Sequence, residues 1–113
     1  MKDSRVYLIH IRDCIDRIKQ YTIAGKESFF NDIKTQDAVL RNLQVMCESV
    51  QKLPQDWKNT YPEIEWNNIG GFRNRLTHEY LNVDLDIVWS VIENYLPDLE
   101  KTVEAMAQEF WDI

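Results

Sequence analysis

The sequence predicts an all-α protein, an antiparallel bundle of four main helices with short extra helical turns, and three observations carry that expectation. Only three glycines and three prolines interrupt 113 residues, far fewer breakers than a chain of short strands and tight turns needs. Apolar residues recur at spacings of three and four over long stretches, the period of a helix that buries one face. They make up 44% of the chain, enough to fill one core in a domain of this size.

The first helix is expected from about Ser4, a candidate N-cap, to about Ala24, with Gly25 placed to end it. Tyr7, Leu8, Ile11, Cys14, Ile15, Ile18 and Tyr21 form its buried stripe. A short turn around Ser28 to Ile33 leads into a second long helix from about Thr35, with Val39, Leu40, Leu43, Met46, Cys47, Val50 and Leu53 inward and Pro54 as its stop. Gln55 to Glu65 reads as a connection with one turn around Asp56 to Asn59. The third helix is expected over about Trp66 to Tyr80. A fourth starts after the N-cap Asp84 and carries Leu85, Val88, Ile92, Tyr95, Leu99, Val103, Met106 and Phe110 in one register, kinked at Pro97.

Cys14 and Cys47 stand alone inside apolar patterns, which fits a reducing compartment rather than a disulfide framework. Charged residues break every stretch that could cross a bilayer, and the first residues lack a signal-peptide apolar run. A cytoplasmic protein with no membrane association is expected. The net charge of −6 opposes a nucleic-acid partner on its face. It is unevenly spread: residues 1–26 carry six basic and three acidic side chains, residues 27–78 six and seven, and residues 79–113 one and nine. The acidic third reads as a solvated face or as a dock for a basic partner.

Chemistry concentrates in the third helix, at Arg73-Asn74-Arg75-Leu76-Thr77-His78-Glu79-Tyr80. At about 100° per residue, Ile69, Phe72 and Leu76 form the apolar side, and Arg73, Thr77, Asn74 and His78 follow round the helix as one polar arc. Histidine exchanges protons near neutrality, arginine offers a fork of donors to phosphate oxygens, and asparagine can hold either the imidazole or the phosphate. That is a competent set for cutting a phosphodiester without a metal. The spacing alone leaves open a surface histidine on an amphipathic helix. Gly70-Gly71, inside the same helix, costs roughly 2 kcal/mol relative to alanine. Close approach of another backbone, a ligand phosphate, or a frayed helix start would each account for the pair.

Other candidates are weaker. His10, beside Ile9 and Ile11, reads as a packing histidine, and no HExxH or ExxH pair suggests a metal site. Neither a metal nor a cofactor is expected. Trp57, Trp66, Trp89 and Trp111 read as core or interface residues before base-stacking ones.

Arg73-Asn74-x-x-x-His78-x-Tyr80, followed by Val83-Asp84-Leu85-Asp86-Ile87-Val88-Trp89 and preceded by Pro62-Glu63-Ile64-x-Trp66-x-x-Ile69, resembles the HEPN superfamily. Within it the sequence is similar to the HepT-like toxins of MNT-type toxin–antitoxin pairs. The likeness extends to Lys34-Thr35-Gln36-Asp37-Ala38-Val39 and Arg41-Asn42-Leu43. The resemblance implies a single HEPN-like helical domain over residues 1–113, a homodimer with its cleft on the two-fold axis, and metal-independent endoribonuclease activity on RNA. By position, Arg73 and His78 match the catalytic pair and Asn74 its polar companion. Tyr80 matches the tyrosine that the nucleotidyltransferase antitoxin modifies with AMP. Glu79, where many relatives have a small residue, departs from the pattern and bears on the pH optimum. Two other functions stay open: a non-catalytic HEPN module that binds nucleotide or partner for a companion nucleotidyltransferase, and a plain helical dimerisation protein.

Overall fold

The computed structural model describes residues 3–79 and 82–111, the side chain of Trp111 excepted. Seven α-helices follow one another among these residues: α1 Arg5–Tyr21, α2 Lys26–Phe30, α3 Ile33–Gln51, α4 Gln55–Asn59, α5 Trp66–His78, α6 Leu85–Ser90 and α7 Leu96–Met106. A π-helical segment, Val91–Tyr95, joins α6 to α7, so the two act as one long bent helix, and a second, Ala107–Trp111, follows α7. The expected four-helix bundle is therefore present, with α2 and α4 as its short extra turns.

Local chemistry sets the boundaries. Asp32 caps α3 by accepting from the Lys34 amide at 3.1 Å and the Thr35 hydroxyl at 2.7 Å, so α3 starts two residues before the expected Thr35. Ser4 makes no side-chain cap; the Arg5 amide donates to Asp3 instead. α1 ends at Tyr21 rather than Ala24, where the Thr22 hydroxyl turns back onto the Ile18 carbonyl at 2.7 Å. Gly25 then makes the chain's turn into α2 at φ 96°, a conformation a side chain would strain. Asp84 caps α6 as expected, accepting from the Asp86 amide at 2.9 Å.

The helices pack in the order α7, α1, α3, α5, and each neighbouring pair is antiparallel. Lys52 lies over the Tyr7 ring at the open end of the α1–α3 pair. Arg12 and Lys19 of α1 meet Glu104 and Glu100 of α7 at 2.9 and 3.1 Å. Gln44 and Glu48 of α3 meet Thr77 and Arg73 of α5. Leu8, Ile11, Cys14, Ile15 and Ile18 interlock with Val39, Leu40, Leu43, Met46, Cys47 and Val50, and Leu76, Val88, Leu99, Val103 and Met106 close the core around them. Burying each large aliphatic side chain contributes about 1.5–3 kcal/mol.

One register differs from expectation. Tyr95 is 64% exposed and Leu96 only 4%, because the π-helical segment ahead of Pro97 takes an extra residue into its turn and rotates the inward face by one position. Proline has no N–H for the Glu93 carbonyl and its ring crowds that group, so a widened turn relieves both problems. His10 also differs: it is exposed, edge-on to Tyr7 at 6.5 Å, and packs into no core. Trp57 stacks on Phe110 at 4.8 Å, the Trp66 indole donates to the Lys58 and Tyr61 carbonyls at 3.0 Å, and Trp89 packs beside Phe29. These three tryptophans serve packing.

Both cysteines lie in the α1–α3 seam. Burial pushes the Cys47 thiol up to about 12, with Glu48 adding to the effect, and burial raises Cys14 as well. Both therefore stay protonated in the folded chain at pH 8. The native protein should not react with a thiol-disulfide reagent at that pH, and both residues should react once denaturant is added. Stoichiometric labelling of the native chain would contradict a closed seam.

Candidate active site

The expected site residues lie on and beside α5, whose Leu76 is buried while Ile69 and Phe72 pack partly against the core. This apolar side sets the helix against α3 and turns the polar arc outward. Arg73 sits at the α3–α5 seam with its side chain 32% exposed, and its Nη1 donates to Asn74 Oδ1 at 3.3 Å. Asn74 and His78 are exposed one turn apart. The His78 ring makes no hydrogen bond among the described residues, and it occupies the last position of the helix. Arg73 and Asn74 are thus in contact, and His78 stands beyond Asn74 on the outer face.

The helix stops short of the expected Tyr80. At Glu79 the backbone leaves the helical region (φ −120°, ψ 30°), although its amide still reaches the Arg75 carbonyl at 2.9 Å. Tyr80 itself lies outside the described residues. Glu79 is turned toward Arg75, with its carboxylate 3.5 Å from Nε on the solvent side, in an exposed pair worth little to stability.

The glycines separate in role. A Cβ at Gly70 would meet the amide end of the Gln51 side chain, on the last residue of α3, at 3.0 Å. Gly71 faces open space. Of the two glycines, Gly71 is the one that presents bare backbone outward, on the face that carries Asn74 and His78.

Sequence reasoning missed the groups that α3 brings to Arg73. Glu48 Oε1 lies 3.6 Å from Arg73 Nη2 and 3.5 Å from Gln44 Nε2, which is itself 3.3 Å from Thr77 Oγ1. Their signal is faint: a polar pair one turn apart, flanking the apolar stripe of α3. Among the described residues no group of three His, Cys, Asp or Glu side chains could hold a metal ion. A groove of about 400 Å³ lined by Gln55, Ile64, Glu65, Trp66, Asn67 and Asn68 lies at the start of α5, the opposite end from His78. No described helix is long and apolar enough to cross a membrane.

Residues 11–106 match the family model described as Ribonuclease HepT-like. The chain belongs to this family. A Thermococcus cleftensis protein named "Probable ribonuclease HepT" is 34% identical over 106 residues, covering 93% of this chain and 96% of that protein. The mRNA nuclease HepT of Shewanella oneidensis is 30% identical and covers 88% of this chain and 92% of its own length. Among solved structures, the tri-AMPylated Shewanella oneidensis HEPN toxin in complex with MNT antitoxin superposes with a TM-score of 0.68 at 28% identity. That match covers 92% of this chain and 96% of the toxin. The HepT-like fold therefore accounts for the helical bundle.

Proposed function

We propose that this HepT-like protein is a toxin endoribonuclease that cleaves RNA without a metal at Arg73, Asn74 and His78, and that an MNT-type nucleotidyltransferase antitoxin neutralises it. The observation that carries this reading is the arrangement on α5: an arginine and an asparagine in contact, with an exposed histidine one turn beyond them. Arg73 would bind the scissile phosphate. His78 would take the proton of the 2′-hydroxyl, whose oxygen attacks phosphorus, and a proton delivered to the 5′-oxygen lets it leave. Such a cut leaves a 2′,3′-cyclic phosphate on one fragment and a 5′-hydroxyl on the other.

Asn74 and His78 are exposed on the outer face of α5, and the groove at its start is remote from His78. A cleft that surrounds RNA therefore needs a second surface, which a homodimer supplies by setting two α5 faces against each other, with two histidines for the two proton transfers. The bare backbone at Gly71 suits that close approach. The acidic third is partly offset locally, because Glu100 and Glu104 pair with Lys19 and Arg12 of α1.

The deciding experiment incubates the purified protein with total RNA in excess EDTA and analyses the fragment ends. Fragments with cyclic-phosphate and 5′-hydroxyl ends are expected. Intact RNA would instead favour a non-catalytic module serving a companion nucleotidyltransferase. Sedimentation showing a fully active monomer would overturn the dimeric cleft.

A further inference from the structure

We infer that Glu48, with Gln44 behind it, is a positioning residue for Arg73, a role that rests on Arg73 being the phosphate-binding group proposed above. Because α3 and α5 run antiparallel, two pairs of side chains one turn apart on each helix face each other as stacked rungs. Gln44 meets Thr77 at 3.3 Å, and Glu48 meets Arg73 at 3.6 Å. The rungs are tied together by Gln44 Nε2, 3.5 Å from Glu48 Oε1.

The state of the guanidinium gives these contacts their purpose. Arg73 Nε is buried and has no partner among the described residues, so that edge is closed to a ligand arriving from solvent. A phosphate must be met by the two Nη groups. Nη1 is steadied by Asn74 on α5 and Nη2 by Glu48 on α3. Held from both flanks, the planar fork keeps one attitude at the seam instead of sampling the many rotamers of an arginine side chain. Gln44 in turn fixes the carboxylate that does the holding. At 3.6 Å the Glu48 contact is longer than a close charge-assisted hydrogen bond, which leaves Nη2 able to take a phosphate oxygen.

Glu48 therefore acts in two opposed ways. It orders Arg73 for the transition state, and its negative charge opposes the incoming phosphate. Glu48→Gln removes the charge while keeping the shape. With a labelled single-stranded oligoribonucleotide of mixed sequence as substrate, this variant should lose about tenfold in kcat, the order expected when a reacting group is misaligned. KM should stay level or fall. Glu48→Asp, which keeps the charge, should retain more of kcat and show no fall in KM. Gln44→Leu should lower kcat by a smaller factor at unchanged KM, and it carries the test by itself should Glu48→Gln fail to fold, as judged by circular dichroism. A purely structural role would move stability and leave this kcat-against-KM split absent. Wild-type kcat in both Glu48→Gln and Gln44→Leu, beside an inactive Arg73→Ala, would overturn the positioning role alone. An active Arg73→Ala would overturn the reading beneath it.

Discussion

Replacing His78 with alanine is expected to lower RNA cleavage by about 10²–10⁴-fold, the range for losing a general acid–base group. Arg73→Ala should cost at least as much as the lower end of that range, since it removes the donors for the phosphate. Growth inhibition by the toxin should disappear with either change. Neither substitution should alter the fold, because His78 is exposed at the end of α5 and Arg73 contributes one long ion pair at a seam held by Leu76, Phe72 and Ile69. Circular dichroism on each variant separates lost chemistry from lost structure. If His78 serves as base and then as acid, the wild-type rate should fall on both sides of an optimum, and a flat profile from about pH 5 to 9 would speak against alternating roles. Full activity in His78→Ala would sink the catalytic assignment.

Tyr80→Phe is expected to escape neutralisation by the MNT-type antitoxin proposed above. Co-expression of the wild-type chain with the proposed MNT-type nucleotidyltransferase should raise the intact mass by one or more adenylyl groups and relieve growth inhibition. The variant should show neither the mass increase nor the relief. An AMP on the Tyr80 hydroxyl would add a bulky negative phosphate, a group that can pair with arginine or repel RNA. The Shewanella oneidensis toxin with which the chain superposes is itself tri-AMPylated and bound to its MNT antitoxin. Complete neutralisation of Tyr80→Phe by the same partner would show that restraint works by another route, such as steric cover of α5.

Much of this molecule was legible in one dimension because its information is periodic. The stripes of α1 and α3 predicted from spacing are buried, with Tyr21 of α1 the main exception at 40% exposed. The outward arc of Asn74 and His78 follows from the same arithmetic, since burying Leu76 forces the opposite face of α5 into solvent. Helix ends were less legible. The expected caps succeeded at Asp84, where an acceptor precedes the helix, and failed at Ser4, where Asp3 takes the bond instead.

The all-α class, the number of main helices, their inward faces and the exposure of the motif were determined by the sequence itself, because breaker content and helical period act within a few residues of each other. The Tyr95-to-Leu96 change of register, the Arg12–Glu104 and Lys19–Glu100 pairs that neutralise part of the acidic third, and the Gln44–Glu48 rungs beneath Arg73 were decided only in the folded bundle. Each depends on which face of one helix meets which face of another. That choice depends on packing between segments far apart in the chain, and no local pattern of residues encodes it.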